Sequence, residues 1–367
     1  MPTLARELFT NLILFALLAL CCCQTAAAQP VAETPQASEG EWALLSPPIV
    51  EETIVVHASF QLLSLSQIED EAEEVTFSGV LTLVWNDARQ AFDPAKEGTD
   101  EKVFSGAFQF NELSPGWYPQ VTLANASGQY DSKAVLLRVK PDGTTTLSEK
   151  IEAVAKVDID MRRLPFDRQS LVLVFRVFGF DANEVVFQAE PDSASDDGSV
   201  TKLPQWTLEG IEALVSTHNA ANDDKMGNAS AFVVTMQVKR LPLFMFRLVV
   251  FPMALIVVLS WSVFWMDRSS VGDRMSVSFV GILSAVAYQI TLVGIVPNVS
   301  YFTLMNEFLN ISFLLMCTTV VINLYVAHAD RCGSERGNRI DYHCRWIFPL
   351  VYVVLNAIAI VTSFVFS

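Results

Sequence analysis

The sequence predicts an exported all-β, immunoglobulin-like sandwich followed by a four-helix transmembrane bundle. Three observations predict it. Of 367 residues, 51% are hydrophobic and only 17% charged, a balance foreign to disordered and nucleic-acid-binding chains. The charge is also divided along the chain: residues 31–240 hold 33 of the 40 Asp and Glu and 16 of the 24 Lys and Arg, a net −17, and the remainder is nearly neutral and apolar. Finally, the pattern changes near Leu243 from short alternating runs to uncharged runs too long for strands. A purely membrane-buried transporter would not gather its carboxylates in one block, and a soluble enzyme would not carry the long apolar runs.

Residues 1–28 read as a signal peptide, with Arg6 near the start, an apolar run from Leu12 to Leu20, and Ala26-Ala27-Ala28 as the cleavage site. Cys21, Cys22 and Cys23 fall inside it and the other cysteines are Cys317, Cys332 and Cys344, so the exported domain must stand on its core without disulfides. Residues 29–48, rich in Pro, Ala and Glu, read as a linker. The sandwich is expected over 49–241. Its strands are read at Ile54–Leu65, Val75–Trp85, Ala134–Val139, Ser170–Val177, Glu184–Gln188, Thr207–Val215 and Phe232–Val238, which are β-branched or aromatic and punctuated by turns such as Pro141-Asp142-Gly143.

The membrane domain is expected over 242–367, with helices at about 244–266, 273–295, 301–327 and 345–366. The uncharged run from Met275 to Asn306 has 32 residues. As one helix it would be about 48 Å long against a ~30 Å hydrocarbon core, so it must fold back, and Pro297-Asn298 supplies the turn. With the first domain exported, the loop 327–345 faces the cytoplasm and carries Arg331, Arg336, Arg339 and Arg345, whereas the outward loop 296–300 is uncharged. That asymmetry agrees with the positive-inside rule.

Gly272, Ser276, Val280, Leu283, Ala287, Ile290 and Gly294 follow at spacings of three and four, which puts them on one small, mildly apolar face of the second helix. Such a face packs tightly against a neighbour or, with copies around an axis, lines a pore. Asp273 at the entry to this helix would form a carboxylate ring in a symmetric oligomer, and rings of that kind select cations; a carboxylate there also favours the helix dipole. Glu69-Asp70-Glu71-Ala72-Glu73-Glu74 gathers five carboxylates, suited to sensing protons or a divalent cation or simply to forming a solvated loop. Glu307, alone in an apolar stretch, is read at the outer end of the third helix, in a functional or a structural role.

Several motifs in fixed order carry a resemblance. Trp85-Asn86-Asp87-Ala88-Arg89 with Ala91-Phe92-Asp93-Pro94, Trp117-Tyr118-Pro119, Asp160-Met161-Arg162-Arg163-Leu164-Pro165-Phe166-Asp167, Arg240-Leu241-Pro242-Leu243, Pro252 and Gly272-Asp273-Arg274-Met275-Ser276 together resemble a prokaryotic pentameric ligand-gated ion channel, a relative of the Cys-loop receptors. Val157 and Leu171 stand where animal members have their paired cysteines. The match runs from about residue 50 to the C-terminus. The resemblance implies a homopentamer, with five second helices around the pore, Leu283 at the hydrophobic gate and Asp273 at the selectivity ring. Val280 departs from the hydroxyl that many members carry; with Leu283, Ala287 and Ile290 it makes an apolar constriction that stops ions by dewetting.

The resemblance further implies that Asp70, Asp167 and Arg240 form a buried coupling triad, with Arg163 nearby and Pro297 in the loop that receives the signal. For an agonist pocket it offers Phe178, Phe180, Asn125, His218 and Phe232, although Ala124 and Val80 stand where aromatic walls are usual and the hairpin tip 216–231 brings no aromatic. Phe178 is therefore open to two readings, ligand contact or core. The candidate sensor residues are Glu69, Glu71, Glu73 and Glu74. The expected partners are lipid, four further copies of the chain, permeant monovalent cations, and a small-molecule, proton or divalent-cation ligand, with no nucleic acid and no cofactor. A non-conducting membrane receptor or scaffold is the rival reading, though the longest cytoplasmic loop leaves no room for an output domain. An enzyme is disfavoured, because the exported domain shows neither a metal-spaced His/Cys cluster nor a Ser/His/Asp motif.

Overall fold

Strict alternation shapes the first half of the chain. Strand β2 (Glu74–Asn86) buries every second residue, among them Val75, Phe77, Leu81, Leu83 and Trp85, as a strand with one wet face must. The computed structural model describes residues 47–48, 53–105, 116–190, 192–196, 203–219, 228–267, 270–332 and 336–366; the expected signal peptide, most of the linker and the hairpin tip around residues 220–227 lie outside them.

Besides β2, the strands are β1 (Ile54–Glu69), β3 (Lys102–Ser105), β4 (Val121–Leu123), β5 (Ala126–Val139), β6 (Thr144–Lys156), β7 (Arg168–Val177), β8 (Val185–Gln188), β9 (Ala194–Asp196), β10 (Trp206–Asn219) and β11 (Asn228–Arg240). One sheet runs β3-β5-β6-β2-β1-β8, with β9 also on β1, and the other runs β10-β11-β7-β4. The pairs β1–β8 and β1–β9 are parallel, and the other strand pairs described are antiparallel. Between the sheets, Phe60 stands 6.0 Å from Phe77 and 5.6 Å from Phe175, and Phe232 lies 6.3 Å from both Phe175 and Phe187. Rings at these separations add to the burial that holds the layers together.

Four helices follow: α1 (Leu243–Trp265), α2 (Val271–Thr291), α3 (Leu304–Arg331) and α4 (Arg336–Phe366). Three of these sequences are long and apolar enough to cross a membrane by themselves, and α2, which carries Ser276, Ser278, Ser284, Tyr288 and Gln289, is not one of them. Several expected bounds shift. Helix α2 ends at Thr291, not 295, and Gly294 sits beyond it at φ 84, in the left-handed region open to glycine, so Gly294 leaves the helical face assigned to it. Helix α3 begins at Leu304, because the Thr303 hydroxyl accepts from the Asn306 amide and caps it. Helix α4 begins at Arg336, more than two turns before 345, since its arginines break the apolar run without breaking the helix. The expected loop 327–345 is therefore largely helical.

Helix α1 carries Pro252, whose missing N–H leaves the carbonyl of Leu248 without its helical donor. The Tyr288 hydroxyl of α2 donates to that carbonyl, and the turn just before, Phe246–Val250, is wound as a π segment. Nearby, Gly281 lets α2 approach α1 closely: a Cβ there would meet the Ser260 hydroxyl at 3.1 Å.

Candidate functional site

The junction between sandwich and helices is built on one arginine. Arg240, the last residue of β11, is 1% exposed; its Nε donates to Asp167 Oδ1 at 2.9 Å and its Nη2 to Asp70 Oδ1 at 2.9 Å. Its guanidinium also stacks 4.0 Å from the Trp206 ring centroid. Burial acts to lower the Arg240 pKa, but Asp70 and Asp167 outweigh it and raise the value on balance. Gln169 holds the remaining Asp167 oxygen at 2.8 Å, so the buried carboxylate is satisfied on both sides. The structure thus brings Asp70, Asp167 and Arg240 together.

Around this triad the sandwich touches the helices at several places among the described residues, the ring of Phe166 lying 5.8 Å from that of Phe246 on α1. The Glu71 carboxylate accepts from the backbone N–H of Asn298 at 2.9 Å, beside the buried Pro297 in the α2–α3 loop. The loop 160–167 sits on the start of α3: Met161 N–H donates to the Tyr301 hydroxyl at 2.9 Å, and Leu304 N–H to the Arg162 carbonyl at 3.0 Å. The end of α4 meets the same loop, with the Arg163 guanidinium 5.5 Å from the Phe364 ring and Phe166 6.2 Å from it. Of these contacts, Glu71–Asn298 and Met161–Tyr301 carry no local sequence signal, since the partners are more than a hundred positions apart.

The acidic segment is dispersed rather than convergent. Glu69 accepts from Gln67, Glu71 reaches Asn298, Glu74 takes the Ser127 hydroxyl, and Asp70 belongs to Arg240. Glu73 occupies a turn at φ 56 and its carbonyl receives Val157 N–H. Among the described residues no group of three or more His, Cys, Asp or Glu side chains is placed to hold a metal ion.

Among the described residues, the candidate agonist side chains do not line one pocket. Phe178 is 56% exposed, which removes the core reading, and Phe180 packs edge-on against Trp117 at 6.0 Å. Phe232 is fully buried among the rings of the core, out of a ligand's reach. Asn125 spends its amide on structure: Nδ2 donates to the Lys156 and Val172 carbonyls at 2.7 and 2.8 Å, and Oδ1 accepts from Val174 N–H at 3.0 Å. The His218 backbone pairs with Ala229, and its side chain lies outside the described residues.

One titratable group inside the sandwich was missed. Glu149 sits on the inward row of β6 between the buried Leu147 and Ile151, opposite buried Leu81 on β2 and Val135 on β5. Burial raises its pKa above the usual carboxylate value, with the Ser132 hydroxyl opposing, and its charge helps to raise the pKa of Tyr118 and Tyr130. Its signal was the apolar alternation around it, hidden because the strand itself was not read.

On α2, Gly272, Ser276, Val280, Leu283, Ala287 and Ile290 are all exposed in the single chain, with Leu283 and Ile290 each at 68%. Asp273 is exposed in the first turn, where its charge also favours the helix dipole. Its neighbour Arg274 points the other way and is 3% exposed, its Nη1 and Nη2 donating to the two Asp341 oxygens of α4 at 2.9 and 2.8 Å. Nη2 also reaches Asn323 Oδ1 of α3 at 3.0 Å, and Asn323 Nδ2 donates to the Ser278 hydroxyl at 2.8 Å. Glu307 lies half-buried in the first turn of α3, where a carboxylate is favoured by the dipole.

This architecture has recognisable relatives. The family profile described as neurotransmitter-gated ion-channel ligand binding domain matches residues 42–242, and that described as neurotransmitter-gated ion-channel transmembrane region matches residues 249–336. A proton-gated ion channel of Gloeobacter violaceus is 26% identical over 85% of this chain and 84% of its own length. An acetylcholine receptor beta subunit of Xenopus laevis is 25% identical over 75% of this chain, and a human gamma-aminobutyric acid receptor subunit rho-2 is 24% identical over 79%; this chain spans only 57% and 62% of those two proteins. With both domains matched in the order in which the fold presents them, the chain is a membrane protein of the neurotransmitter-gated ion-channel family, the pentameric ligand-gated channels, and not an enzyme.

Proposed function

We propose that five copies of this chain form a homopentameric, cation-selective channel in a bacterial inner membrane. The mature chain then starts near Gln29, the sandwich of residues 49–241 stands in the periplasm, and the helices of residues 242–367 form the pore domain. The observation that carries the reading is the sorting of charge at the start of α2, where Asp273 is exposed and Arg274 buried. Five exposed faces of Ser276, Val280, Leu283, Ala287 and Ile290 around an axis then enclose a pathway that begins at a ring of carboxylates. Bilayer currents under opposed sodium and chloride gradients test this. The wild-type channel is expected to reverse near the sodium potential and the Asp273→Ala channel to lose most of that preference; a wild-type reversal at the chloride potential would overturn the reading.

Of the stimuli open to the sequence, protons are best supported. The aromatic candidates do not converge, the carboxylates of Glu69, Asp70, Glu71 and Glu74 are engaged one by one, and Glu149 is a carboxyl on the inner face of the sandwich, faced by Ser132 and Tyr130 of β5, by Tyr118 and by apolar side chains of β2. The similar Gloeobacter protein is proton-gated. The sign follows from the raised pKa: the folded sandwich binds this proton more tightly than the unfolded chain, so the associated stability is full in acid and is lost as pH rises through the folded value. Glu149→Gln, permanently neutral, is expected to raise the melting temperature at pH 7 and to flatten both its pH dependence and that of the current. Acid activation unchanged in this variant would discard Glu149 as the trigger.

A further inference from the structure

The far end of the bundle from the sandwich holds a buried ion pair of which the pore reading uses only the burial of Arg274, leaving its partner Asp341 without a role. Arg274 and Asp341 are each 3% exposed and joined by two hydrogen bonds of 2.8 and 2.9 Å. Asn323, also 3% exposed, ties the pair to α3 and back to Ser278 on α2. Arg274 immediately follows Asp273 in sequence, but a helix turns consecutive side chains about 100° apart, so the carboxylate is exposed while the guanidinium enters the bundle. Asp330 lines the same recess as Arg274. An arginine next to a carboxylate at a cation pathway would cancel that charge if it reached the same water, and its long stem is able to reach it. A paired, hydrogen-bonded partner inside the protein is what keeps such a side chain buried.

We propose that Asp341 is a specificity-determining residue for ion selection: by holding the Arg274 guanidinium among α2, α3 and α4, it keeps positive charge out of the mouth that Asp273 faces. Asp341 touches no permeant ion in this arrangement and acts through Arg274. The inference rests on the reading of Asp273 as the selecting carboxylate.

The test compares Asp341→Asn with the double variant Arg274→Gln/Asp341→Asn, each purified as a pentamer and recorded in bilayers under a sodium chloride gradient. Asp341→Asn is expected to shift the reversal potential toward zero and to lower the single-channel cation current severalfold. The double variant, which has no charge left to expose, is expected to recover wild-type selectivity. Wild-type selectivity and current in Asp341→Asn would overturn the proposal, and so would a double variant as impaired as the single one, since that pattern marks a packing role. Should Asp341→Asn chains not assemble alone, mixed pentamers with wild-type chains serve: current falling stepwise with each variant subunit supports the proposal, and unchanged current in mixed pentamers overturns it. The Asp273→Ala channel separates the two readings. If it keeps its selectivity the carboxylate ring fails, whereas a loss with Asp341→Asn that the double variant restores stands on its own.

Discussion

Replacing Arg240 with Ala is expected to abolish assembly of a gateable channel. The substitution strands Asp167, which is 1% exposed, and frees Asp70, which is partly exposed, at the point where the last strand enters the first helix. Breaking a buried pair by removing one partner costs about 3 to 5 kcal/mol, a large share of a domain's total stability. The melting temperature of the detergent-solubilised protein and its elution as a pentamer measure the effect. Replacing all three at once, Asp70→Asn, Asp167→Asn and Arg240→Met, is expected to recover much of the stability, because no charge is left buried, while current in response to the stimulus stays lost. An Arg240→Ala channel that assembles and gates as wild type would show the triad to be dispensable for both.

Leu283→Ser is expected to produce the largest functional gain. Leu283 is 68% exposed in the single chain, on the face that also carries Val280, Ala287 and Ile290. Five such side chains facing an axis keep a narrow passage dry, and a hydroxyl at that level lets water and ions through. Each ~1.4 kcal/mol removed from the closed state raises the ratio of open to closed channels about tenfold. The variant is therefore expected to leak at rest by at least an order of magnitude more than wild type, read as the current blocked on removing permeant cations. Silence from an intact Leu283→Ser pentamer would move the assignment to a non-conducting receptor.

The division into sandwich and bundle was legible because it is written in period and charge, both local properties. Pro297-Asn298 marked the fold-back for the same reason. The strand Thr144–Lys156 was passed over although Thr144, Thr145, Thr146, Ile151 and Val154 are β-branched: the polar run Ser148-Glu149-Lys150 interrupts its alternation, and pairing with β2 and β5 holds it extended. Missing it hid Glu149 as an inward-facing residue. The triad Asp70–Arg240–Asp167 was reached only through the family motifs. The Arg274–Asp341 pair had neither route, since its members lie 67 positions apart and Asp341 stands among arginines in a segment read as loop. Phe232 lies among the rings of the core, a placement the sequence does not reveal, because alternation fixes which face a residue takes but not whether that face meets a ligand or the opposite sheet.

The bond between Tyr288 and the Leu248 carbonyl gives the first two helices a shared detent. Within a hydrocarbon layer no water stands ready to replace that hydroxyl, so the carbonyl that Pro252 freed remains tied to α2 rather than to its own helix. Small tilts carry α1 and α2 together as one body. Any rotation of α2 past α1 has to break this bond, and the π-wound turn at Phe246–Val250 lies within the same stretch of α1.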